Sequence, residues 1–157
     1  MTGHQLSTNV SAGDLDTIAG ERLAAIDQRY TSGRQALMTA LRLAGRPLSI
    51  AELLDSNRSF VQSSIYRNLV VLEQAKLVAR VVAHDDLARY ELGEDLVDHH
   101  HHLMCTTCGR IDDFEITIED EHELLKALKR SARRAGFAVE GHRLDLVGVC
   151  KECRATS

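Results

Sequence analysis

Apolar residues recur with helical spacing in the first half of the chain and with strand-like spacing further on. Residues 20–30 and 36–44 each carry an apolar residue every three or four positions, which predicts two helices. Gly45 is expected to end the second helix, and Pro47, the only proline, marks the turn after it. Residues 1–18 are rich in Ser, Thr, Gly and Asp, a composition that predicts a mobile tail.

Two more helices and a hairpin are expected next. Ser49, with Glu52 three residues later, is typical of a capping box and predicts a short helix over residues 50–55. A longer helix through about residue 74 is predicted by an apolar face made of Val61, Ile65, Leu69 and Leu72. Residues 77–83 and 87–92 are apolar, β-branched or aromatic on both sides of a polar turn, which is the pattern of a hairpin. Helices followed by a hairpin predict a winged helix-turn-helix domain.

The second half of the chain predicts a small α/β unit. It contains strand-like segments near residues 101–105, 110–116 and 144–150, and a helical pattern from about 119 to 135. A short acidic stretch precedes them and marks a domain boundary. The expected fold class is α+β, with a tail (1–18), a winged-helix domain (19–93), a hinge (94–98) and a second domain (99–157).

Composition and charge limit the class of protein. The chain has 157 residues, 44% of them hydrophobic, and no apolar run approaches the roughly 18 residues of a membrane-spanning helix. Its start lacks the pattern of a secretory signal, so we expect a cytoplasmic protein. The net charge is −4, but residues 20–92 carry ten Arg or Lys against eight Asp or Glu, and residues 93–157 nine against thirteen. The predicted winged helix is thus the positive part, although two solvated faces of one domain would give the same mild asymmetry.

The four cysteines form two pairs, each with two intervening residues. These pairs are Cys105 with Cys108 and Cys150 with Cys153. Two such pairs complete the tetrahedral shell that zinc prefers, and four thiolates leave no open position for chemistry, so a structural zinc site is predicted. The 41 residues between the pairs require a folded domain to bring them together. A redox dithiol is the alternative for one pair, but the βαβ context of such motifs is missing.

A run of four histidines, His99 to His102, comes just before the first cysteine pair. Alternate residues of a strand face opposite sides, so His99 and His101 are expected on one side and His100 and His102 on the other. Imidazoles combined with carboxylates suit zinc, iron, nickel or manganese, and they exchange their ion more readily than four thiolates do. Solvated histidines that bind no ion are the alternative.

Several short motifs follow one another in a characteristic order. In the second half they are Tyr90-Glu91-Leu92, His99 to His102 with Leu103-Met104, Cys105-Thr-Thr-Cys108-Gly109, Asp113-Phe114, Gly136-Phe137, His142 and Cys150-Lys-Glu-Cys153. In the first half the motif is Ser64-Ile65-Tyr66-Arg67-Asn68-Leu69. Together they cover roughly residues 30–153 and resemble the signatures of the ferric uptake regulator family. The resemblance implies a DNA-binding winged helix and a C-terminal dimerisation domain with a structural zinc.

The resemblance also implies two exchangeable metal sites. The regulatory site, at the domain junction, is expected to consist of Glu91, His100, His102 and Asp113. The second site, inside the dimerisation domain, is expected to consist of His99, His101, His142 and Glu119. The predicted long helix exceeds that of the family by several residues, so Asp120 or Glu123 is the alternative to Glu119.

Departures from the family pattern leave the regulatory ion open. Where many members have a hinge histidine, this chain has Arg46 and Pro47, and His84 is the only nearby substitute that we can suggest. His101 stands where iron sensors commonly have Asp, whereas Asp113 stands where peroxide sensors have Asp and iron sensors Glu. The nitrogen-rich run favours zinc slightly over ferrous ion.

The implied function is that of a metal-dependent transcriptional repressor that binds a palindromic operator as a homodimer. The residues expected to contact DNA lie in the recognition helix and are Ser63, Ser64, Tyr66, Arg67 and Asn68. Arg34 and Arg89 are expected to contact phosphates. A peroxide-sensing repressor with bound iron is the alternative. A zinc hydrolase is a third hypothesis, but the H-E-x-x-H pattern that begins at His122 fails at Lys126, so we expect no enzyme.

Overall fold

A computed structural model describes residues 11–82, 86–97 and 99–155. The helices are α1 (Ala12–Ala24), α2 (Ser32–Ala44), α3 (Ile50–Ser56), α4 (Gln62–Gln74), α5 (Ile118–Arg134) and α6 (Lys151–Ala155). The strands are β1 (Leu48–Ser49), β2 (Val78–Val82), β3 (Ala88–Leu92), β4 (His101–Cys105), β5 (Ile111–Phe114) and β6 (Asp145–Gly148). None of the described helices is both long and apolar enough to cross a membrane. The fold class is α+β, as predicted.

The first helix corrects two sequence predictions. Because α1 begins at Ala12, the predicted mobile tail of residues 1–18 is wrong for its last seven positions. The bounds of the helix predicted over residues 20–30 are also wrong, because α1 ends at Ala24. Ser11 caps α1 by accepting a hydrogen bond from the backbone N–H of Asp14. Three apolar side chains, spaced four residues apart, are buried and offset the polar composition; they are Leu15, Ala19 and Leu23. Residues 1–10 lie outside the described residues.

Helices α2 to α4 and the β2–β3 hairpin form the predicted winged helix. Gly45 ends α2 in the left-handed conformation, with φ of 57°, and Ser49 and Glu52 form the predicted capping box at the start of α3. The buried face of α4 consists of Ile65, Leu69 and Leu72. Val61, which was expected on this face, is exposed because it precedes the first turn of α4. In the first sheet, β3 lies between β1 and β2 and is antiparallel to both.

The chain then passes through a short 3-10 turn, Glu94–Leu96, whose position is fixed by contacts with the winged helix. The Arg22 guanidinium of α1 donates a hydrogen bond of 2.9 Å to the carbonyl of Lys76 and forms an ion pair with Asp95. A side chain at Gly93 would place its Cβ 2.6 Å from that carbonyl oxygen, so the chain requires glycine here. Leu96 is buried in the core of the winged helix. These contacts fix the start of the segment that leads to the histidine run.

The described residues from 99 onward form a second sheet in which β4 lies between β5 and β6. β4 is antiparallel to β5 and parallel to β6, and α5 provides the connection from β5 to β6. No residue of α5 is buried, although its sequence is strongly amphipathic. The predicted strands and the long helix are present with slightly different bounds, whereas β1 and α6 were not predicted.

Candidate metal centres and DNA-binding face

The four cysteines lie together at one end of the second sheet, and we call them the thiol cluster. Cys105 ends β4, Cys108 lies in the following turn, Cys150 follows β6, and Cys153 lies in α6. The sulfurs of Cys108 and Cys150 are 3.9 Å apart. A tetrahedral zinc with Zn–S bonds of about 2.3 Å would separate its sulfurs by roughly 3.8 Å. The spacing of the cluster therefore fits a zinc ion.

Two thiols of the thiol cluster differ in how readily they ionise. The backbone N–H groups of Cys150 and Cys108 lower the pKa of Cys105 to about 6. The neighbouring sulfurs of Cys150 and Cys108 in turn raise the pKa of Cys153 to about 12. The Cys105 thiolate is thus favoured, whereas ionisation of Cys153 is opposed. A divalent cation would stabilise both groups as thiolates.

A second group of donors, which we call the junction cluster, connects the two sheets. Glu91 belongs to β3 of the wing, His102 to β4 and Asp113 to β5, and His100 lies just before β4. The Nε2 atoms of His100 and His102 are 3.3 and 3.1 Å from the same oxygen of Glu91, and 4.0 and 3.8 Å from the Asp113 carboxylate. All four side chains are at least 87% buried. The four residues predicted as the regulatory site are therefore brought together.

The electrostatics of the junction cluster also fit a cation. Burial raises the pKa of Asp113 to about 6. Burial also opposes the charge of Glu91, but hydrogen bonds with His100 and His102 lower the pKa of Glu91 overall. Burial likewise opposes protonation of His102, but the hydrogen bond with Glu91 raises the pKa of His102 overall. The Oδ1 atom of Asp113 is buried without a hydrogen-bond partner among the described residues, as expected of a ligand atom.

A third group, which we call the helix cluster, consists of His99, His101, Glu121 and His142. The Glu121 carboxylate lies 2.9 Å from His101 Nε2, 2.7 Å from His142 Nε2 and 3.4 Å from His99 Nε2. Glu121 Oε1 and His142 Nε2 are both buried, yet they lack the alignment of a hydrogen bond and have no other hydrogen-bond partner in the described part of the chain. A carboxylate oxygen and an imidazole nitrogen that lie close together without a hydrogen bond between them could both coordinate one cation.

The acidic member of the helix cluster corrects the sequence analysis. Glu119 was predicted, with Asp120 or Glu123 as alternatives, and all three predictions are wrong, since the cluster contains Glu121. Glu119 is exposed at the first turn of α5. Asp120 accepts a hydrogen bond from the Thr117 hydroxyl at the helix start, and Glu123 pairs with Lys126. The sequence analysis missed that α5 begins at Ile118. With this start, the side chain of Glu121 faces β4.

The strand geometry explains how adjacent histidines serve different clusters. Successive side chains of β4 point to opposite faces of the second sheet, as the pleat requires. His100 and His102 are thus 5.2 Å apart, ring centre to ring centre, on one side, and His99 and His101 are 4.9 Å apart on the other. The expected division of the run is confirmed. His84, the suggested substitute for a hinge histidine, lies outside the described residues.

Of the five residues of α4 that were predicted to contact DNA, three are exposed and two are half-buried. Ser63, Tyr66 and Arg67 are exposed on α4, with 48% of Tyr66 accessible, while Ser64 and Asn68 are half-buried. The Arg67 side chain donates to the carbonyl of Ser63 one turn earlier, which aligns it along the helix. This face is free of the core contacts that hold the opposite side of α4.

Arg34 does not fit the predicted role of phosphate contact. It is 9% exposed, and its guanidinium donates hydrogen bonds to Gln28 Oε1, Asn68 Oδ1 and the carbonyl of Arg29. These bonds tie the start of α2 to the recognition helix, so Arg34 supports α4 from within. Arg89 is also buried, at 6% exposure, and donates to the carbonyl of Leu87. Both predictions therefore placed at the surface a side chain that the fold buries.

Comparison with known proteins agrees with these features. The model of the ferric uptake regulator family matches residues 26–147. The ferric uptake regulation protein of Bacillus subtilis is 33% identical over 93 residues, which are 58% of this chain and 58% of that protein. The chain thus spans a little over half the length of that relative. The peroxide-responsive repressor of Staphylococcus epidermidis is 29% identical over 143 residues, or 88% of this chain and 89% of that protein.

Among solved structures, the fold is similar to that of the Helicobacter pylori ferric uptake regulator, for which three functional metal binding sites are described. The TM-score is 0.76, the sequence identity is 21%, and the alignment covers 95% of this chain and 97% of that one. This likeness concerns the fold. The family match extends over most of the chain, and the chain belongs to the ferric uptake regulator family.

Proposed function

We propose that this chain is a metal-dependent transcriptional repressor that binds DNA as a homodimer, with zinc or ferrous ion as the regulatory cation. The observation that carries the proposal is the junction cluster. Glu91 comes from the wing, whereas His100, His102 and Asp113 come from the second sheet or the segment next to it. A cation at these four residues would therefore fix the wing relative to the second sheet.

The winged helix would respond as a unit, because α4 packs on the wing through the same core. Leu69 of α4 and Leu92 of β3 belong to one hydrophobic cluster, and Leu92 directly follows Glu91. The cation would supply the positive charge that lets Glu91 and Asp113 remain ionised together. Holding these residues in place favours one arrangement of the winged helix, which is a shift in population towards the DNA-binding form.

The exposed face of α4 supports DNA as the partner. Ser63, Tyr66 and Arg67 offer hydroxyl, aromatic and guanidinium groups that suit base edges and phosphates in a major groove. Arg34 would act indirectly, through its hydrogen bond with Asn68.

Exposed apolar side chains of the second sheet and the segments next to it support a homodimer. Phe137 is 70% exposed, Val147 61%, Leu146 48% and Leu128 44%. Exposed apolar side chains that form one patch mark an interaction surface. A second copy would cover them and would present two α4 helices to a palindromic operator.

The test uses DNA duplexes that the zinc-loaded protein selects from a random pool. We expect selection of a palindrome, and gel shifts that tighten by roughly 5- to 150-fold with added zinc or ferrous ion, the usual range of coupling between sites. His102→Ala should remove this response while the thiol cluster keeps its zinc. His122→Ala, at an exposed position of α5, is the matched control and should respond like the wild type. Equal DNA binding after removal of the exchangeable ion would contradict the proposal.

A peroxide-sensing repressor is a second candidate. The junction cluster offers nitrogen and oxygen donors, which suit iron, and the chain is similar to a peroxide-responsive repressor. This candidate predicts that hydrogen peroxide adds oxygen to His100 or His102 in the iron-loaded protein and not in the zinc-loaded one. Mass spectrometry that finds both peptides unmodified would exclude it.

We propose no catalytic activity for the metal clusters. Each offers four protein ligands, which fill the tetrahedral shell that zinc prefers and leave no position on a bound zinc for a reacting water. Turnover of model esters or peptides by the zinc-loaded protein would contradict this.

A further inference from the structure

Asp145 is a charged residue outside the three donor clusters that nevertheless contacts one of them. Its Oδ1 atom lies 3.2 Å from Nδ1 of His102. The contact is set by the backbone, because Asp145 begins β6 and pairs with His102 in the parallel β4–β6 register. The Asp145 side chain is 28% exposed and that of His102 only 10%. The contact is therefore shielded from solvent on the histidine side.

The two ring nitrogens of His102 face different partners. Nε2 points into the junction cluster, 3.1 Å from Glu91, whereas Nδ1 points away from it towards Asp145. A neutral imidazole carries its proton on one nitrogen and a lone pair on the other. A carboxylate can only accept, so Asp145 favours the proton on Nδ1 and leaves the lone pair of Nε2 for an ion.

We propose that Asp145 is a positioning residue of the junction cluster, which fixes the tautomer and the ring orientation of His102 and so tightens the binding of a divalent cation. The inference rests on the proposed function, since it assumes that the junction cluster binds the regulatory ion. Carboxylates in this position behind a ligand histidine orient the ring and increase its basicity, and their loss typically lowers metal affinity about 10- to 100-fold.

The fold holds Asp145 from two directions. Arg143 donates to the other carboxylate oxygen, Oδ2, at 3.2 Å. The β4–β6 pairing continues from His102 and Asp145 to Cys105 and Gly148, next to the thiol cluster. An ion in the thiol cluster would thus keep β6 in register and keep Asp145 against His102.

The test measures zinc affinity of the junction cluster by competition with a chromophoric chelator. All variants carry His142→Ala, which disables the helix cluster, and are first loaded with zinc at the thiol cluster. Asp145→Ala should bind the second zinc about 10- to 100-fold more weakly. Asp145→Asn keeps an oxygen that can accept from Nδ1 and should recover most of this loss.

Asp112→Ala is the matched control, because it removes one carboxylate from the neighbouring strand β5 without touching His102. Asp112 pairs with Arg110 and is partly exposed, so its removal should change zinc affinity by less than about threefold. Unchanged affinity in Asp145→Ala, or an equal loss in Asp145→Asn, would overturn the positioning role. The proposed function would survive that outcome, provided that His102→Ala still abolishes the second zinc.

Nitrogen NMR of the zinc-loaded wild type gives an independent readout that needs no folded alanine variant. We expect His102 to coordinate zinc through Nε2 and to keep its proton on Nδ1. Coordination through Nδ1 would overturn the inference and leave metal-dependent DNA binding intact. A junction cluster that binds neither zinc nor ferrous ion in the wild type would overturn both.

Discussion

The two parts of this molecule are stabilised by different chemistry. The winged helix has one hydrophobic core that extends from Leu15 to Leu96. Beyond residue 99, the described part of the chain contributes only Met104 and Ile111 to a small buried cluster with Val81 of the wing, and α5 buries none of its residues. The same segment contains the thiol and helix clusters and most of the junction cluster.

The difference shows where each part derives its stability. Burial of apolar side chains contributes roughly 1.5–3 kcal/mol for each large residue, so the winged helix can fold on its own core. A segment with so few buried residues needs metal ions or a second copy of the chain, as small domains generally do. We therefore expect the two parts to lose their structure under different conditions.

Loss of the thiol cluster should have the largest effect. Structural zinc contributes an apparent free energy of about 10–16 kcal/mol in small zinc domains, far more than the apolar burial available here. Cys108→Ser should expose the amides of β4, β5 and β6 to hydrogen exchange while those of α2 and α4 stay protected. Thr107→Ala, in the same turn, keeps all four thiols and should exchange like the wild type. Unchanged protection of β4 in Cys108→Ser would show that the second sheet does not depend on the ion.

A cavity in the hydrophobic core of the winged helix should destabilise that domain and leave the second sheet and its zinc in place. Leu69 is 1% exposed, and Leu69→Ala should lower the free energy of unfolding of the winged helix by about 2–5 kcal/mol. Val70→Ala, at a neighbouring position with 53% exposure, is the matched control and should change stability little. Urea unfolding followed by circular dichroism, with zinc content measured in parallel, tests this. Loss of zinc at the same urea concentration would show that the two parts unfold together.

The junction cluster, which belongs to both parts, should bind its cation in a pH-dependent way. Burial raises the pKa of Asp113 to about 6, so below pH 6 the cation must displace a proton from this carboxyl. Affinity for zinc should thus fall as the pH decreases from 7 to 5, by up to about tenfold per pH unit for each proton displaced. Titrations of Asp113→Asn should give a weaker affinity with a shallower slope. An identical slope would mean that other ligands release the protons.

The comparison also separates what the sequence could predict from what it could not. Cys105 and Cys108 predict a zinc site because only two residues separate them along the chain. The histidines of the run point alternately to opposite faces because of the pleat of one strand. Glu121 could not be chosen from its acidic neighbours, since the choice depends on where α5 begins and how it packs beside β4. Arg34 was misplaced for a similar reason. Its three acceptors come from Gln28, Arg29 and Asn68, which only the folded chain brings together.

Removal of a helix cap in the winged helix should have the smallest effect on stability, and that effect should stay local. Ser49 accepts a hydrogen bond from the backbone N–H of Glu52, whose carboxylate accepts from the backbone N–H of Ser49 and pairs with Arg46. Ser49→Ala should lower the free energy of unfolding by about 1 kcal/mol, the usual contribution of such a cap. Thr39→Ala, at an exposed position within α2, is the matched control and should stay within about 0.5 kcal/mol of the wild type.

Burial opposes the charge of Glu52, but hydrogen bonds with Ser49 and Arg46 lower the pKa of Glu52 overall. A lowered carboxyl pKa stabilises the fold above the pKa of the unfolded chain, and this contribution is lost as the pH falls through the folded value. Ser49→Ala keeps the backbone N–H and Arg46 but loses the contribution of the Ser49 side chain to this lowered pKa, so its difference in stability from the wild type should shrink in acid. Zinc content should be the same in both proteins at neutral pH, because α3 and its cap belong to the part that is stabilised by apolar burial. A cap variant that released zinc would show that stability in the first part is transmitted to the second.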